Sequence, residues 1–347
     1  MSPTLAVAVE RFALANPFTI SRGSRTEAEV VVATITEGDI TARGECTPYK
    51  RYGETVEGVV ADIKGQAGAI AGGLDREGLQ QAMEAGAARN ALDCALWDLE
   101  AKRQSLAKGA PGSVRAWNVC GLSAAEPVKT VYTISLAAPD AMEETAREAA
   151  AKGRSLLKVK LGGKDGEDDA RIRAVRSAAP DATLIVDANE GWAANELEGY
   201  LAAMRDAGVV MVEQPLPVGE DEALDEARAK GWAGAEAGLP LGADESAHTR
   251  KDLMALKGRY DVVNIKLDKA GGLTEALSMA STARTLGFDV MVGCMMATSL
   301  SMAPAVLVAQ RASFVDLDGP MWMKTDREHG LRYDGQTVHP PEPELWG

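Results

Sequence analysis

The sequence predicts an α/β fold in which a closed TIM barrel of (β/α)8 type follows a smaller N-terminal α+β domain. Three observations carry this. From residue 130 onward, eight short apolar runs alternate with longer, Ala-rich amphipathic stretches. Successive runs start 22–30 residues apart, close to the roughly 30 residues of one strand–helix unit. The chain has 347 residues, and such a barrel takes roughly 250, which leaves room for one further domain.

In chain order, the first domain spans 1–115. It opens with strand-like apolar runs such as Val30 to Ile35. Residues 87–103 (AARNALDCALWDLEAKR) then place Leu92, Leu96 and Leu99 at helical spacing, and KGAPGS (108–113) reads as a break. The barrel follows over 116–319. Its strand candidates are TVYTIS (130–135), LLKVKL (156–161), TLIVDA (183–188), VVMVE (209–213), LPLGAD (239–244), DVVNIKL (261–267), DVMVG (289–293) and SFVDL (313–317). Eight tandem units favour a closed parallel barrel over an open sheet. The fifth run is the weakest, because Pro240 cannot donate to a ladder. The tail, 320–347, carries Pro320, Pro340, Pro341 and Pro343 and is expected to return to the first domain.

Composition narrows the function. Hydrophobic residues make up 46% and charged residues 25%, as in a packed globular core. No run approaches the ~20 apolar residues of a membrane span. Glu10 and Arg11 interrupt the N-terminal apolar stretch, so no export signal is expected. Cys46, Cys94, Cys120 and Cys294 form no CxxC pair, which argues against a zinc knuckle or a disulfide framework and for the cytoplasm. The net charge of −14, from 51 acids and 37 bases, disfavours nucleic acid as a partner. The oligomeric state stays open between a monomer and a homo-oligomer.

Barrel active sites form at the C-terminal ends of the strands, so the polar residues that close each run are the candidates. Asp187, Glu213 and Asp244 close three successive runs. Each also precedes a helix, where a carboxylate can cap the N-terminus. Three unpaired carboxylates in one pocket repel, a bound cation relieves that, and an all-oxygen set suits a hard ion such as Mg2+. Lys158 and Lys160 lie two apart on one strand and so share a face. Lys266 comes four strands later, on the opposite wall. Two lysines flanking a metal site suit removal of a proton α to a carboxylate: the cation stabilises the developing charge, and bases on opposite faces permit inversion. The base must be neutral near pH 7, whereas free lysine titrates near ~10.4, so neighbouring cations are required.

Taken together, LKVKLG (157–162), VDAN (186–189), EQPL (213–216), ADES (243–246) and NIKLDKAGGL (264–273) resemble the enolase superfamily, in particular its muconate-lactonising subgroup. GECTPY (44–49) and ARNALDCALWDLEAK (88–102) are similar to that family's capping domain. The resemblance implies a modified (β/α)7β barrel under an N-terminal capping domain. It implies Lys160 and Lys266 as the acid/base pair with Lys158 in support, and one Mg2+ on Asp187, Glu213 and Asp244. Asn189 falls beside this set. Asp268 has two readings, a group that tunes Lys266 or a plain surface carboxylate.

Asp316 and Asp318 form a DxD at the end of the eighth strand. In the similar dipeptide epimerases this pair holds the substrate's ammonium; otherwise it is a solvated strand end or a helix cap. The loop 21–28 (SRGSRTEA) resembles the segment that covers the substrate, with Arg25 facing a distal carboxylate and Arg22 sharing that role or lying in solvent. Tyr52 could close the same lid. Ser135, Cys294, Met295, Met296, Thr298 and Ser299 are expected along the pocket, with Ser135 and Met296 in the substrate-binding set. The implied reaction is epimerisation at the α-carbon of a dipeptide's C-terminal residue, foremost L-Ala-D/L-Glu, through an enediolate. An o-succinylbenzoate synthase, an N-acyl amino-acid racemase or a cycloisomerase of the same architecture is the alternative, followed by a Schiff-base barrel and a non-catalytic binding barrel.

Overall fold

The computed structural model describes residues 2–347. The N-terminal sheet is antiparallel, in the order β1 (Thr4–Ile20), β2 (Gly23–Glu37), β3 (Ile40–Cys46). β2 is the central strand, and its side chains alternate between two cores. Val31, Ala33 and Ile35 pack against Leu92, Ala95 and Leu99 of the helix Ala87–Ala107, whereas Val30 and Val32 join the barrel-side core. This is the period-two pattern of a strand buried on both faces. The helix lies so close that a Cβ at Gly44 would sit 2.1 Å from Ala91 O, so only glycine fits there.

All eight barrel runs are strands: Tyr132–Ile134, Leu156–Lys160, Thr183–Asp187, Val209–Glu213, Leu241–Ala243, Val262–Ile265, Asp289–Val292 and Phe314–Val315. They form one parallel sheet in sequence order. The seam between the first and last strands is closed by Val131 N donating to Val315 O at 2.9 Å and Leu317 N to Thr130 Oγ1 at 2.8 Å. The fifth strand begins one residue after Pro240, which has no N–H to give. Seven strands are followed by α-helices. The eighth leads only into a 3-10 turn, Gly319–Trp322, which makes the barrel (β/α)7β.

Alternation along the strands explains where the site lies. Leu157, Val159, Leu184 and Val186 face outward into the main core. Val131, Ile185, Met211, Val262 and Met291 form an apolar layer inside the barrel. Two residues further along the same inward faces come Asp187 and Glu213, so polar side chains crown the C-terminal ends.

The tail packs against the N-terminal region. Lys324 N donates to Ala13 O at 2.8 Å. Fully buried Trp346 donates from Nε1 to Cys94 O at 3.0 Å, and Gly347 N reaches Asp98 Oδ1 at 2.8 Å. Trp346→Ala is therefore expected to lower stability by ~3–5 kcal/mol, read as a reduced urea midpoint at unchanged slope. Among the described residues no helix is long and apolar enough to cross a membrane.

Candidate active site

A cavity of about 180 Å³ opens at the C-terminal ends of the barrel strands under the N-terminal region. Lys160 and Lys266 line it from strands four apart in the sheet, together with Asn189, Glu245, Cys294, Met295, Met296, Asp316 and Asp318. Ile20, Arg22, Arg25, Tyr49 and Tyr52 cover it from above.

Beneath lie Asp187, Glu213 and Asp244, all buried, each offering a carboxylate oxygen within 4.8 Å of the other two. Four ammonium groups surround them. Lys160 Nζ is 2.6 Å from Asp187 Oδ2 and Lys266 Nζ 2.7 Å from Asp244 Oδ2. Lys158 Nζ is 2.7 Å from both Glu213 Oε2 and Asp316 Oδ2, and 3.3 Å from Asp187 Oδ2. Lys158 is fully buried and is not among the cavity's lining residues, so in this arrangement it neutralises the acids from below.

The charges are strongly coupled. Burial would raise Asp187, yet Lys160 and Lys158 pull its pKa down to about 2. Burial likewise opposes the charge on Asp244, but Lys266 and Lys269 hold it well below the usual carboxylate range. Glu213 moves the other way, raised by burial and by Asp187. For Lys266, burial disfavours the ammonium, but the nearby acids, Asp244 foremost, outweigh both burial and the neighbouring Lys158 and raise the pKa, contrary to the lowering expected from the sequence, so these residues by themselves do not supply a neutral base.

The three acids fit a divalent cation. All their donors are oxygens, which suits a hard ion. Glu213 Oε2 lacks a hydrogen bond of good alignment even though Lys158 Nζ sits at ion-pair distance. Neighbours fix the remaining oxygens: Asn264 Nδ2 donates to Glu213 Oε1 at 2.6 Å, Asn189 N to Asp187 Oδ1 at 2.9 Å, and Lys269 Nζ to Asp244 Oδ1 at 2.6 Å and to Asp244 O. Such fixed partners orient metal ligands.

Asp316 and Asp318 reach the cavity from the other side. Asp316 Oδ2 accepts from Lys158, and Asp318 Oδ2 accepts from Thr133 N at 2.7 Å. Burial and the adjacent Asp316 push Asp318 up to about 6. Neither is a solvated strand end.

Several expectations are corrected. The 21–28 segment is not a loop: only Ser21 and Arg22 form the turn, and β2 begins at Gly23, because β1 and β2 stay paired to the tip, Phe18 opposite Arg25 and Ile20 opposite Gly23. Arg25 therefore stands on a strand, over the Tyr49 ring at 5.3 Å to the centroid. Arg22 is engaged, not free in solvent: it donates to Asn189 O at 2.9 Å and to Glu245 Oε1 at 2.6 Å. Ser135 is absent from the lining, since its hydroxyl accepts from Thr19 N at 2.7 Å and donates to Thr19 O at 3.1 Å, tying the hairpin to the first barrel strand. Asp268 is buried, which removes the surface reading. Its Oδ1 accepts from Thr47 N at 3.0 Å and Asn90 Nδ2 at 2.8 Å, so its hydrogen-bond partners lie in the N-terminal region; burial raises it to about 7. Thr298 caps the helix Ser299–Ala309 and bonds to Glu45, and Ser299, the first residue of that helix, bonds to Asp326.

Sequence reasoning gave no role to Lys269 or Asn264, although both stand inside NIKLDKAGGL. The signal was available in part: on strand six, Asn264 and Lys266 share the inward face.

Comparison with known proteins agrees with this geometry. Residues 3–107 match the family "Mandelate racemase / muconate lactonizing enzyme, N-terminal domain", and residues 141–344 match "Enolase C-terminal domain-like". An L-Ala-D/L-Glu epimerase of Escherichia coli K12 is 46% identical, covering 97% of this chain and 99% of that protein. An N-acetyl-D-glutamate racemase of a Pseudoalteromonas species is 41% identical over 92% of this chain and 95% of its own. Among solved structures, an enolase family member from Agrobacterium tumefaciens with homology to dipeptide epimerases, with bound sodium and L-Ala-L-Glu and an ordered loop, superposes with a TM-score of 0.92 at 52% identity, covering 99% of this chain and 100% of that one. A dipeptide epimerase from Enterococcus faecalis, complexed with Mg and L-Leu-L-Tyr, gives 0.87 at 27%, covering 99% and 98%.

Proposed function

Since the chain belongs to the mandelate racemase / muconate lactonizing enzyme family of the enolase superfamily, we propose that it is a dipeptide epimerase acting on L-Ala-D/L-Glu, with one Mg2+ per site. The observation that carries the reading is the pairing of two cavity-lining lysines from strands four apart with a buried Asp187–Glu213–Asp244 cluster and a DxD across the same cavity.

Asp187, Glu213 and Asp244 would hold the divalent ion, which when bound would supply Lewis-acid stabilisation of negative charge on the substrate carboxylate. The protein's own residues do the rest. Asp316 and Asp318 hold the dipeptide's N-terminal ammonium through charge-assisted hydrogen bonds, which sets how far the α-carbon reaches toward the lysines. Arg25 faces the glutamate side chain. Lys160 and Lys266 approach the α-carbon from opposite sides: one removes the proton, the other returns one to the far face, and the centre inverts. The covering hairpin and tyrosines keep bulk water from that planar carbon.

A mixed dipeptide library incubated in heavy water, with and without Mg2+, tests this by mass. Mg-dependent deuterium uptake in Ala-Glu is expected. Uptake confined to N-acylated amino acids would instead support the second reading, N-acyl amino-acid racemisation, which the 41% identity to the N-acetyl-D-glutamate racemase favours.

The ammonium role of the DxD gives a pH prediction. Asp318 titrates near 6, and only its charged form attracts the ammonium. The apparent grip on a free-amino dipeptide should weaken as pH falls through about 6 and strengthen above it, until the α-amino group itself deprotonates at ~7.7–8.0. The component of the acidic limb of kcat/KM near pH 6 should be lost in Asp318→Asn, while the limb set by the lysine base persists, together with a loss of ~10²-fold or more against free-amino substrates.

A further inference from the structure

Two segments that are distant in sequence cover the cavity, the hairpin tip Ile20–Arg25 and the turn Tyr49–Gly53. Both converge on one carboxylate that does not line the cavity. Glu190 Oε2 accepts from Arg22 Nη1 at 3.1 Å and from Arg51 Nε at 2.9 Å, while Oε1 accepts from Arg51 Nη2 at 2.7 Å and from Val218 N at 3.0 Å. The side chain of Glu190 is only 8% exposed, and its partner Arg51 is 39% exposed.

The backbone is committed to this placement. Asn189 and Glu190 both have positive φ, 45° and 64°, a conformation that non-glycine residues rarely adopt in succession. Glu190 N is pinned to Gln214 O at 2.9 Å. The result turns Asn189 O toward the hairpin, where it accepts from Ser21 Oγ at 2.8 Å and Arg22 Nη1 at 2.9 Å. The two covering segments also touch each other: Arg22 Nη2 donates to Tyr49 OH at 3.2 Å, and Arg25 lies over the Tyr49 ring.

We propose that Glu190 is a positioning residue, a shared anchor through which the hairpin tip and the Tyr49–Gly53 turn are held over the cavity as one unit. It touches no reacting atom. Through Arg22 and Arg51 it fixes the walls that Arg25, Tyr49 and Tyr52 present to the substrate. The kinetic part of this inference rests on the dipeptide reading above; the structural part does not.

The test uses the magnesium-loaded full chain with two variants, Glu190→Gln and Arg51→Met, and two readouts. Amide hydrogen exchange without substrate reads the anchor itself. In Glu190→Gln, exchange should accelerate in both segments, 20–25 and 49–53. In Arg51→Met, which alters only the second segment's bond, both should again accelerate, because the segments move together. With Ala-Glu, KM should rise by ~3–10-fold in either variant while kcat changes less, the signature of lost uniform binding rather than lost chemistry. Unchanged exchange in either segment of Glu190→Gln would overturn the anchor. Acceleration confined to 49–53 in Arg51→Met would overturn the single unit. An unchanged KM despite faster exchange would overturn its service to substrate grip. If the wild type turns over no dipeptide at all, the function fails while the exchange data still decide the anchor. Should Glu190→Gln fold poorly, Arg51→Met at the more exposed partner keeps the exchange test in force.

Discussion

Lys160→Ala and Lys266→Ala are each expected to abolish interconversion of L-Ala-L-Glu and L-Ala-D-Glu, and each to leave α-proton exchange with only one isomer. The two amines stand on strands four apart and line one cavity, so each addresses one face of a bound α-carbon. Inversion needs both, whereas removal and return on the same face needs one. Loss of a positioned acid or base costs about 10²–10⁴-fold, and here the loss should be complete for inversion and isomer-selective for exchange. Each lysine is also a counter-ion to a buried acid, Lys160 to Asp187 and Lys266 to Asp244, so Mg2+ affinity should be measured alongside. Stereo-resolved proton spectra in heavy water give the result; equal loss of exchange for both isomers in both variants would contradict it.

Glu213→Gln should separate metal binding from folding. Burial and Asp187 raise the pKa of Glu213. The folded protein therefore holds a proton there more tightly than the unfolded chain does, and above the ordinary glutamate range its charge works against folding. Replacing it by the neutral isostere should leave the metal-free melting temperature equal or higher. Binding should suffer, because the variant removes one of three carboxylate oxygens that lie within 4.8 Å of each other. The wild type should gain ~2.7 kcal/mol of stability at a hundredfold excess of Mg2+ over Kd, and Glu213→Gln should gain almost none. Lys269→Met acts less directly, since Lys269 only fixes Asp244 Oδ1 and O; a ~10–100-fold weaker Mg2+ affinity is expected, read by calorimetry.

The barrel was legible because its signal is periodic. Eight apolar runs with regular spacing gave all eight strands, and even the doubtful fifth run proved to be a strand, starting just past Pro240. The acids and lysines were legible because strand ends in a barrel converge and a period of two fixes which residues point inward. What the sequence hid depends on contacts between segments far apart in the chain. Asp268 is 178 residues from Asn90, to which it bonds, and Arg22 is 168 residues from Glu190. No local pattern marks either pair. The hairpin tip was misread as a loop because SRGSRTEA is rich in small and charged residues, yet pairing with Phe18, Thr19 and Ile20 extends β2 through it. Ser135 closes a strand as expected, but its hydroxyl is spent on Thr19, which position alone does not reveal.

The claim on which the rest depends is that two lysines serve opposite faces of one α-carbon. Early-time incubation of a single isomer, L-Ala-L-Glu, with the Mg-loaded wild-type protein in heavy water tests it most directly. The account predicts that the first inverted product, L-Ala-D-Glu, carries one α-deuterium, delivered from the far-side lysine. Deuterium that accumulates in the starting isomer with no inverted product, or inversion that proceeds without deuterium uptake, would contradict it.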